Sequence, residues 1–481
     1  MNPDAEGAVP GADAEGHSKQ NPWTYVPVLY FLQGVPVMII QGMAGTMYTK
    51  MGVALGALGL WTSLIKLPWM LKPLWAPFVE VTSTKRRWVV LMQALTALTL
   101  AGAAFTITKS WFFTGSLAVF FVAAFLSSTH DIAADGFYLL ALDKRRQAFF
   151  VGIRSAAFRL GTLFATFFLV YIAGDVEERT GNIPHSWFIA LLVAAGVYGF
   201  FAIVNAIAMP RPPADLPGSA RALGDKIPMV EAFVSFFRQD RILAVLVFIL
   251  FFRFGESMIS TMASPFLLYP NAEGGMGLST KAVGAIGGAV GVVSLVVGGL
   301  LGGWLISKYG IKRCVWPMVL SLNIPNFAYI WLAMTKPTSH VDAALASAPE
   351  NLRFFTGEWF SYVGTVFSSA FTDPVGLVIA LDQFGYGFGL AAYLVYLMFV
   401  SQGSKYPTAN YAVATGLMAL GAMLAGSISG YLAKAMAAAH PGDGFLYFFA
   451  WVMAFTIPGM LVLFFIPMDQ QDIKEVTVDI D

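Results

Sequence analysis

Charged side chains are scarce in this chain. Only 12% of its 481 residues are Asp, Glu, Lys or Arg, while 57% are hydrophobic. Soluble domains carry about 25% charged residues. A water-facing surface cannot be built from this composition, but a lipid-facing one can. Charge of one sign is also lacking. A net charge of +1 gives no basic field, which excludes nucleic acid as a partner. A single cysteine, Cys314, excludes an intrachain disulfide, and its place after a basic cluster fits packing rather than redox chemistry. No metal-ligand cluster, Ser/His/Asp arrangement or Walker loop occurs. That disfavours ATP-driven pumping and leaves ion gradients or facilitated diffusion, with no cofactor expected. Residues 1–22 lack the basic start and short apolar run of a signal peptide and read as a disordered cytoplasmic tail.

What the chain has is long apolar runs. A membrane span needs roughly 20 apolar residues. Such runs lie near 25–48, 57–79, 88–107, 112–141, 149–172 and 187–208, then near 242–269, 282–306, 314–334, 374–400, 410–433 and 445–467. The expectation is an all-α membrane protein of about twelve transmembrane helices in two six-helix bundles, 23–208 and 242–467. A Pro-rich, basic linker at 209–241 joins them, and 468–481 forms a second tail. Lys and Arg concentrate in the loops that share a side with the linker, such as Lys85, Arg86, Arg87, Lys144, Arg145 and Arg146. By charge asymmetry both termini are expected in the cytoplasm. Two six-helix halves joined by a basic linker form the layout of major facilitator transporters.

Ionisable groups in hydrocarbon cost at least a few kcal/mol each and point to function. Eight of those inside the expected spans are candidates: Lys66 and Lys72 in the second, Asp131 and Asp135 in the fourth, Arg159 in the fifth, Arg253 and Glu256 in the seventh, Asp382 in the tenth. Their near balance suggests pairing around a wet cavity. By helical rise, Asp131 and Arg159 lie about 16–18 Å deep, and Asp135 and Lys72 about 10–12 Å. The depths therefore allow the pairs Asp131–Arg159 and Asp135–Lys72. Static locking of helices is the plainer reading. Proton or substrate binding is favoured, because a static core rarely needs so many buried charges. His130 suits a packing role as well as a proton relay. The run Gly284-x-x-Gly287-Gly288-x-x-Gly291 reads as close helix packing, not a nucleotide loop. Pro36, Pro68 and Pro73 are expected kinks. The segment 335–373, with Phe354, Phe355, Trp359 and Phe360, reads as a cap or interfacial helix.

Several motifs then carry a resemblance. They are Leu67-Pro68-Trp69-Met70-Leu71-Lys72-Pro73-Leu74-Trp75-Ala76-Pro77, His130-Asp131-Ile132-Ala133-Ala134-Asp135, Phe158-Arg159-Leu160-Gly161, Phe252-Arg253-Phe254-Gly255-Glu256 and Gly385-Tyr386-Gly387-Phe388-Gly389. Together they resemble the muropeptide permease (AmpG) branch of the major facilitator superfamily, which is related to acetyl-coenzyme A transporters. His130 stands where that branch usually has Gln. The resemblance implies proton-coupled import of anhydro-muramyl peptides across the bacterial inner membrane for cell-wall recycling. Lys72, Asp131, Asp135, Arg159 and Glu256 would serve the site. The full proton and substrate set expected here adds Lys66, His130, Arg253, Asp382, Gln33 and Tyr386. The expected partners are an amphipathic small-molecule cargo and the lipid bilayer, for a chain acting as a monomer. Alternatives are another cargo on the same fold, such as a siderophore or acyl-coenzyme A-like compound. A membrane acyltransferase built on His130-Asp131 is a remote third reading.

Overall fold

The computed structural model describes residues 20–142, 144–213, 215, 229–239, 241–347, 357–402 and 407–466. Of the expected tails, 1–19 and 468–481 lie outside the described residues, as do 216–228 of the linker and Phe354 and Phe355. In lipid every backbone polar group must be satisfied internally, so long apolar runs become helices. Eleven helical runs are long and apolar enough to cross a membrane among the described residues. They are α1 (Pro22–Lys50), α3 (Lys85–Ile107), α4 (Phe112–Ala141), α5 (144–180), α6 (Ile183–Ala208), α7 (Ile242–Leu268), α8 (Thr280–Tyr309), α9 (Ile311–Thr335), α10 (Pro374–Gln402), α11 (Pro407–Ala439) and α12 (Gly444–Phe464). The twelfth, α2 (55–82), is not the continuous span expected. It breaks after Leu64, resumes over Leu67–Leu71, tightens to a 3-10 turn at Lys72–Leu74 and resumes at Ala76. Pro68, Pro73 and Pro77 remove backbone donors along this stretch and explain the breaks.

Three further helices are irregular in a matching way. α1 carries a π-helical turn at Ile39–Met43, just after Pro36; α5 carries one at Phe164–Phe168 and α8 one at Ala285–Val290. α7 is interrupted at Phe252–Arg253, between helices Ile242–Phe251 and Phe254–Leu268. Discontinuous helices and π-turns mark functional sites in membrane proteins.

Glycine sets the packing. A Cβ at Gly34 or Gly161 would fall 2.3 Å from a carbonyl oxygen of the opposite helix, so α1 and α5 touch backbone to backbone. The Gly-rich stretch of α8 does the same with α10: a Cβ at Gly298 would lie 2.2 Å from the Phe384 carbonyl oxygen. This is the expected small-residue packing. Cys314 is buried, and its thiol faces the Leu305 carbonyl oxygen at 3.4 Å. The loop after α9 contains a short helix, Val341–Ala346, and a longer one, Gly357–Thr372, which buries Tyr362, Val366 and Ala370 along one stripe. At the other end of the bundle Asp215, in the linker, accepts hydrogen bonds from the Lys85 and Arg86 amides at 2.7 and 3.0 Å and so caps α3. This end, with loops 82–84 and 310, is called the linker end below, and the opposite one the far end.

Candidate functional site

Most intramembrane charges sit where a helix is irregular or where a partner neutralises them; Arg159 and Asp382 lie on regular helix with no ion-pair partner among the described residues. Lys66 occupies the break in α2. Lys72 occupies the following 3-10 turn, which turns its ammonium toward α4, where it pairs with Asp131. Asp135, one turn further along α4, pairs with Arg154 of α5 at 3.2 Å and accepts a hydrogen bond from Tyr30 at 3.1 Å. The Arg154 guanidinium also lies over the Tyr30 ring, 4.6 Å from its centre. The expected pairs Asp131–Arg159 and Asp135–Lys72 are therefore wrong. Depth along the bundle restricts which charges can meet, but the direction each faces around its helix decides. Lys72 is swung away from Asp135 by the 3-10 turn, and Arg154 occupies Asp135 instead. Arg154 is the site residue that sequence reasoning missed. Its signal was present: it lies on the same helix as Arg159, five residues earlier, within the apolar run.

These pairs are wet. Asp135 and Arg154 keep 39% and 36% of their side-chain surface accessible, and Lys72 keeps 37%. Charges exposed at such depth do not face lipid, so the accessible surface belongs to an aqueous cleft reached from the linker end. Deeper in, Arg253 closes on Glu256 at 2.8 Å across the interruption of α7, with only 16% and 6% of their side chains accessible. Arg253 stands over the Tyr386 ring, 4.6 Å from its centre, and Arg159 lies within electrostatic reach of the same tyrosine from the other bundle. No carboxylate lies within ion-pair distance of Arg159 among the described residues.

Beyond this cluster a cavity of about 210 Å³ lies between the two halves. All three π-turns reach it, through Gly42 of α1, Thr166 of α5 and Gly287 of α8, together with Lys66 of α2, Tyr329 of α9 and Asp382 of α10. Asp382 is 5% exposed and accepts hydrogen bonds from Gln383 at 2.9 Å and Tyr329 at 3.4 Å. Lys66 faces Glu256 and Arg253 electrostatically.

Two expected site residues stand apart. His130 points into the N-terminal bundle, where its Nε2 meets Gln93 at 3.0 Å, and Gln93 is held by Asn205 at 3.2 Å. That is the packing alternative for His130: the ring is 1% exposed and turned away from Asp131's partner Lys72. Gln33 is buried on α1, and its Oε1 lacks a partner among the described residues. It does not line the 210 Å³ cavity.

Past the cavity the halves meet. Thr46 bonds Ser264 at 2.8 Å. Glu177 of α5 holds Lys50 and Thr280, each at 2.7 Å, and Lys281 of α8 reaches Asp175 at 2.9 Å and Glu178 at 2.7 Å. Gly59 of α2 and Gly430 of α11 approach so closely that a Cβ on the first would fall 2.7 Å from the second's Cα. The far end is closed by this seam.

Comparison with known proteins agrees with the architecture. A sequence model of the Major Facilitator Superfamily matches residues 28–348. The chain is similar to an uncharacterized protein of Haemophilus influenzae, 25% identical over 93% of this chain and 95% of that one. It is also similar to the anhydromuropeptide permease of Escherichia coli K12, 21% identical over 91% of this chain and 78% of that one. Among solved structures, a bacterial homolog of the human lysosomal transporter Spinster superposes with a TM-score of 0.65 at 15% identity, over 92% of this chain and 95% of that one. A D-xylose-proton symporter superposes at 0.60 with 13% identity, over 92% and 96%.

Proposed function

Since the chain belongs to the Major Facilitator Superfamily, we propose that this multi-pass membrane transporter imports an anionic, amphipathic muropeptide-like solute across the bacterial inner membrane, coupled to protons. The observation that carries the cargo's sign is Arg159: a guanidinium midway along its helix, beside the cleft, with no carboxylate partner among the described residues. Three other cations are engaged, Lys72 by Asp131, Arg154 by Asp135 and Arg253 by Glu256, while Lys66, at the deeper cavity, faces Glu256 without an ion pair among the described residues. A lone guanidinium offers two parallel N–H donors to a carboxylate, which an ammonium cannot match. The similarity to an anhydromuropeptide permease supplies a cargo with carboxylates and an amphipathic body, and supports this reading over a siderophore or an acyl-coenzyme A-like compound.

With the linker end in the cytoplasm, as the loop charges favour, the cleft faces inward and the seam closes the outside. Transport then consists of breaking the seam, admitting cargo from outside, closing over it and opening at the linker end. A ligand shifts such an equilibrium only through its different affinity for the two states.

The test is uptake of labelled anhydro-muramyl peptide into proteoliposomes by the purified protein, with Arg159→Lys and Arg159→Ala compared per folded molecule. The reading expects gradient-driven uptake by the native protein. It expects uptake to fall at least tenfold in both variants while each folds and inserts. Uptake of a siderophore or acyl-coenzyme A in place of the muropeptide would overturn the cargo. Full activity of Arg159→Lys would remove the two-pronged contact.

A further inference from the structure

Four carboxylates line the path between the halves, and their partners differ in kind. Asp131 has an ammonium, Asp135 a guanidinium and a phenol, and Glu256 a guanidinium and the Ser257 hydroxyl at 3.4 Å. Asp382 has only neutral partners: the Gln383 amide and the Tyr329 phenol. We propose that Asp382 is the proton-carrying carboxylate of the transport cycle, while the other three remain ionised in fixed pairs. This rests on the proton-coupled reading above.

Asp382 sits on α10 at the cavity between the halves, 5% exposed. The charged and titratable groups that face it are Glu256 from α7, Tyr329 from α9 and, across the cavity, Lys66 from α2. None is a cation within ion-pair distance of its oxygens among the described residues. Burying an ionised carboxylate without a cation costs several kcal/mol, whereas the neutral acid is satisfied by ordinary hydrogen bonds. Gln383 can donate to one carboxyl oxygen while the protonated oxygen donates to water or cargo. The far-end seam closes directly over this cavity. Closure over an ionised Asp382 is therefore penalised and closure over the protonated acid is not. One proton from outer water binds the carboxylate when the cavity faces outward. It leaves to inner water when the cleft opens and the carboxylate is again hydrated, so one proton crosses per cycle and no covalent bond changes.

Asp131 and Asp135 are the obvious sequence candidates, being four residues apart on one helix, but each already has its counter-charge at hand. Protonating either would strand a cation in its place.

The first test needs no cargo. Infrared difference spectra of purified protein, taken between alkaline and acidic buffer, should show the carbonyl band of a protonated carboxyl growing on acidification. The band should vanish in Asp382→Asn and persist in Asp131→Asn and Glu256→Gln. Its persistence in Asp382→Asn overturns the proposal whatever the cargo proves to be. The second test separates coupling from binding in proteoliposomes. Asp382→Asn should keep equilibrium exchange of labelled anhydro-muramyl peptide within about threefold of the native protein, yet lose at least tenfold in pH-driven accumulation. Normal accumulation by Asp382→Asn overturns the assignment. Loss of exchange and accumulation together makes Asp382 a cargo contact instead. If the native protein itself fails to accumulate the peptide, the cargo reading fails, and the infrared result still decides Asp382.

Discussion

The two ends of the molecule use charge in opposite ways. At the far end some ion pairs cross between the bundles: Lys281 of the C-terminal half reaches Asp175 and Glu178 of the N-terminal half, and Thr280 reaches Glu177, which also holds Lys50 of its own half. Toward the linker end the ion pairs stay inside one bundle: Lys72 with Asp131 and Arg154 with Asp135 join α2, α4 and α5 of the same half. Charges that cross a seam must be re-made every time the seam opens, whereas charges within a bundle move as a body. On the proposed cycle, the far-end pairs would set which state is populated, and the linker-end pairs would keep one bundle rigid around a wet wall.

The largest effect should come from filling the seam. Gly430→Leu places a side chain where even a Cβ would lie 2.3 Å from the Leu55 carbonyl oxygen. The far end could then no longer close, and transport should fall to background while the protein still inserts. A cysteine at Thr46, which is buried in the seam, should become permanently reactive to impermeant thiol reagents from the far side. Near-normal transport by this variant would show that the close contact of α2 and α11 is not part of the cycle.

Next in size is the crossing charge. Lys281 has 9% of its side chain accessible, and Lys281→Ala leaves Glu178 without its cation and Asp175 with only Arg179 of its own helix. The far-end-open state should gain about tenfold in population, equivalent to roughly 1.4 kcal/mol. The readout is the rate of far-side cysteine labelling. An unchanged rate would mean that the pairs contribute no more than exposed ones do.

Within one bundle the effect should be milder and of another kind. Asp131→Asn or Lys72→Met alone strands a partner and should lower thermal stability, while the double variant should recover part of it. Far-side labelling should be unchanged in all three. A change in labelling would move this pair into the gate.

The smallest effect is expected at His130. Its ring serves a buried amide network with Gln93 and Asn205, so His130→Gln, which keeps a hydrogen-bonding group, should leave uptake within about twofold. A tenfold loss would restore the proton-relay reading.

Much of the fold was legible in the sequence because hydrocarbon imposes one rule, long apolar helices, that composition reports directly. Arg253 and Glu256 were readable as a pair because three residues on one helix fix both depth and direction. The pairs between helices were not. Asp131 meets Lys72, and not Arg159, because α2 breaks at Lys66 and tightens at Lys72, and helical rise carries no information about such a rotation. The prolines at 68 and 73 announced a disturbance but not which way it would turn the lysine. His130 looked like Asp131's companion because adjacency in sequence hides that neighbours on a helix point about 100° apart. Asp382 was readable as a buried charge, but its lack of a cationic partner emerges only when α7, α9 and α10 are brought together.

The proposed cycle opens the two ends in alternation, with the far-end seam as the closed gate of this state. It is tested most directly by spin-label distances on a Cys314→Ala background, one pair at the far end (Ser110 and Ala439) and one at the linker end (Ser83 and Gly310). Acidic buffer with cargo should add a longer far-end distance and, in the same molecules, a shorter linker-end distance. Lys281→Ala should produce both changes without cargo. Distances that stay fixed at both ends, or that lengthen together, would contradict the account.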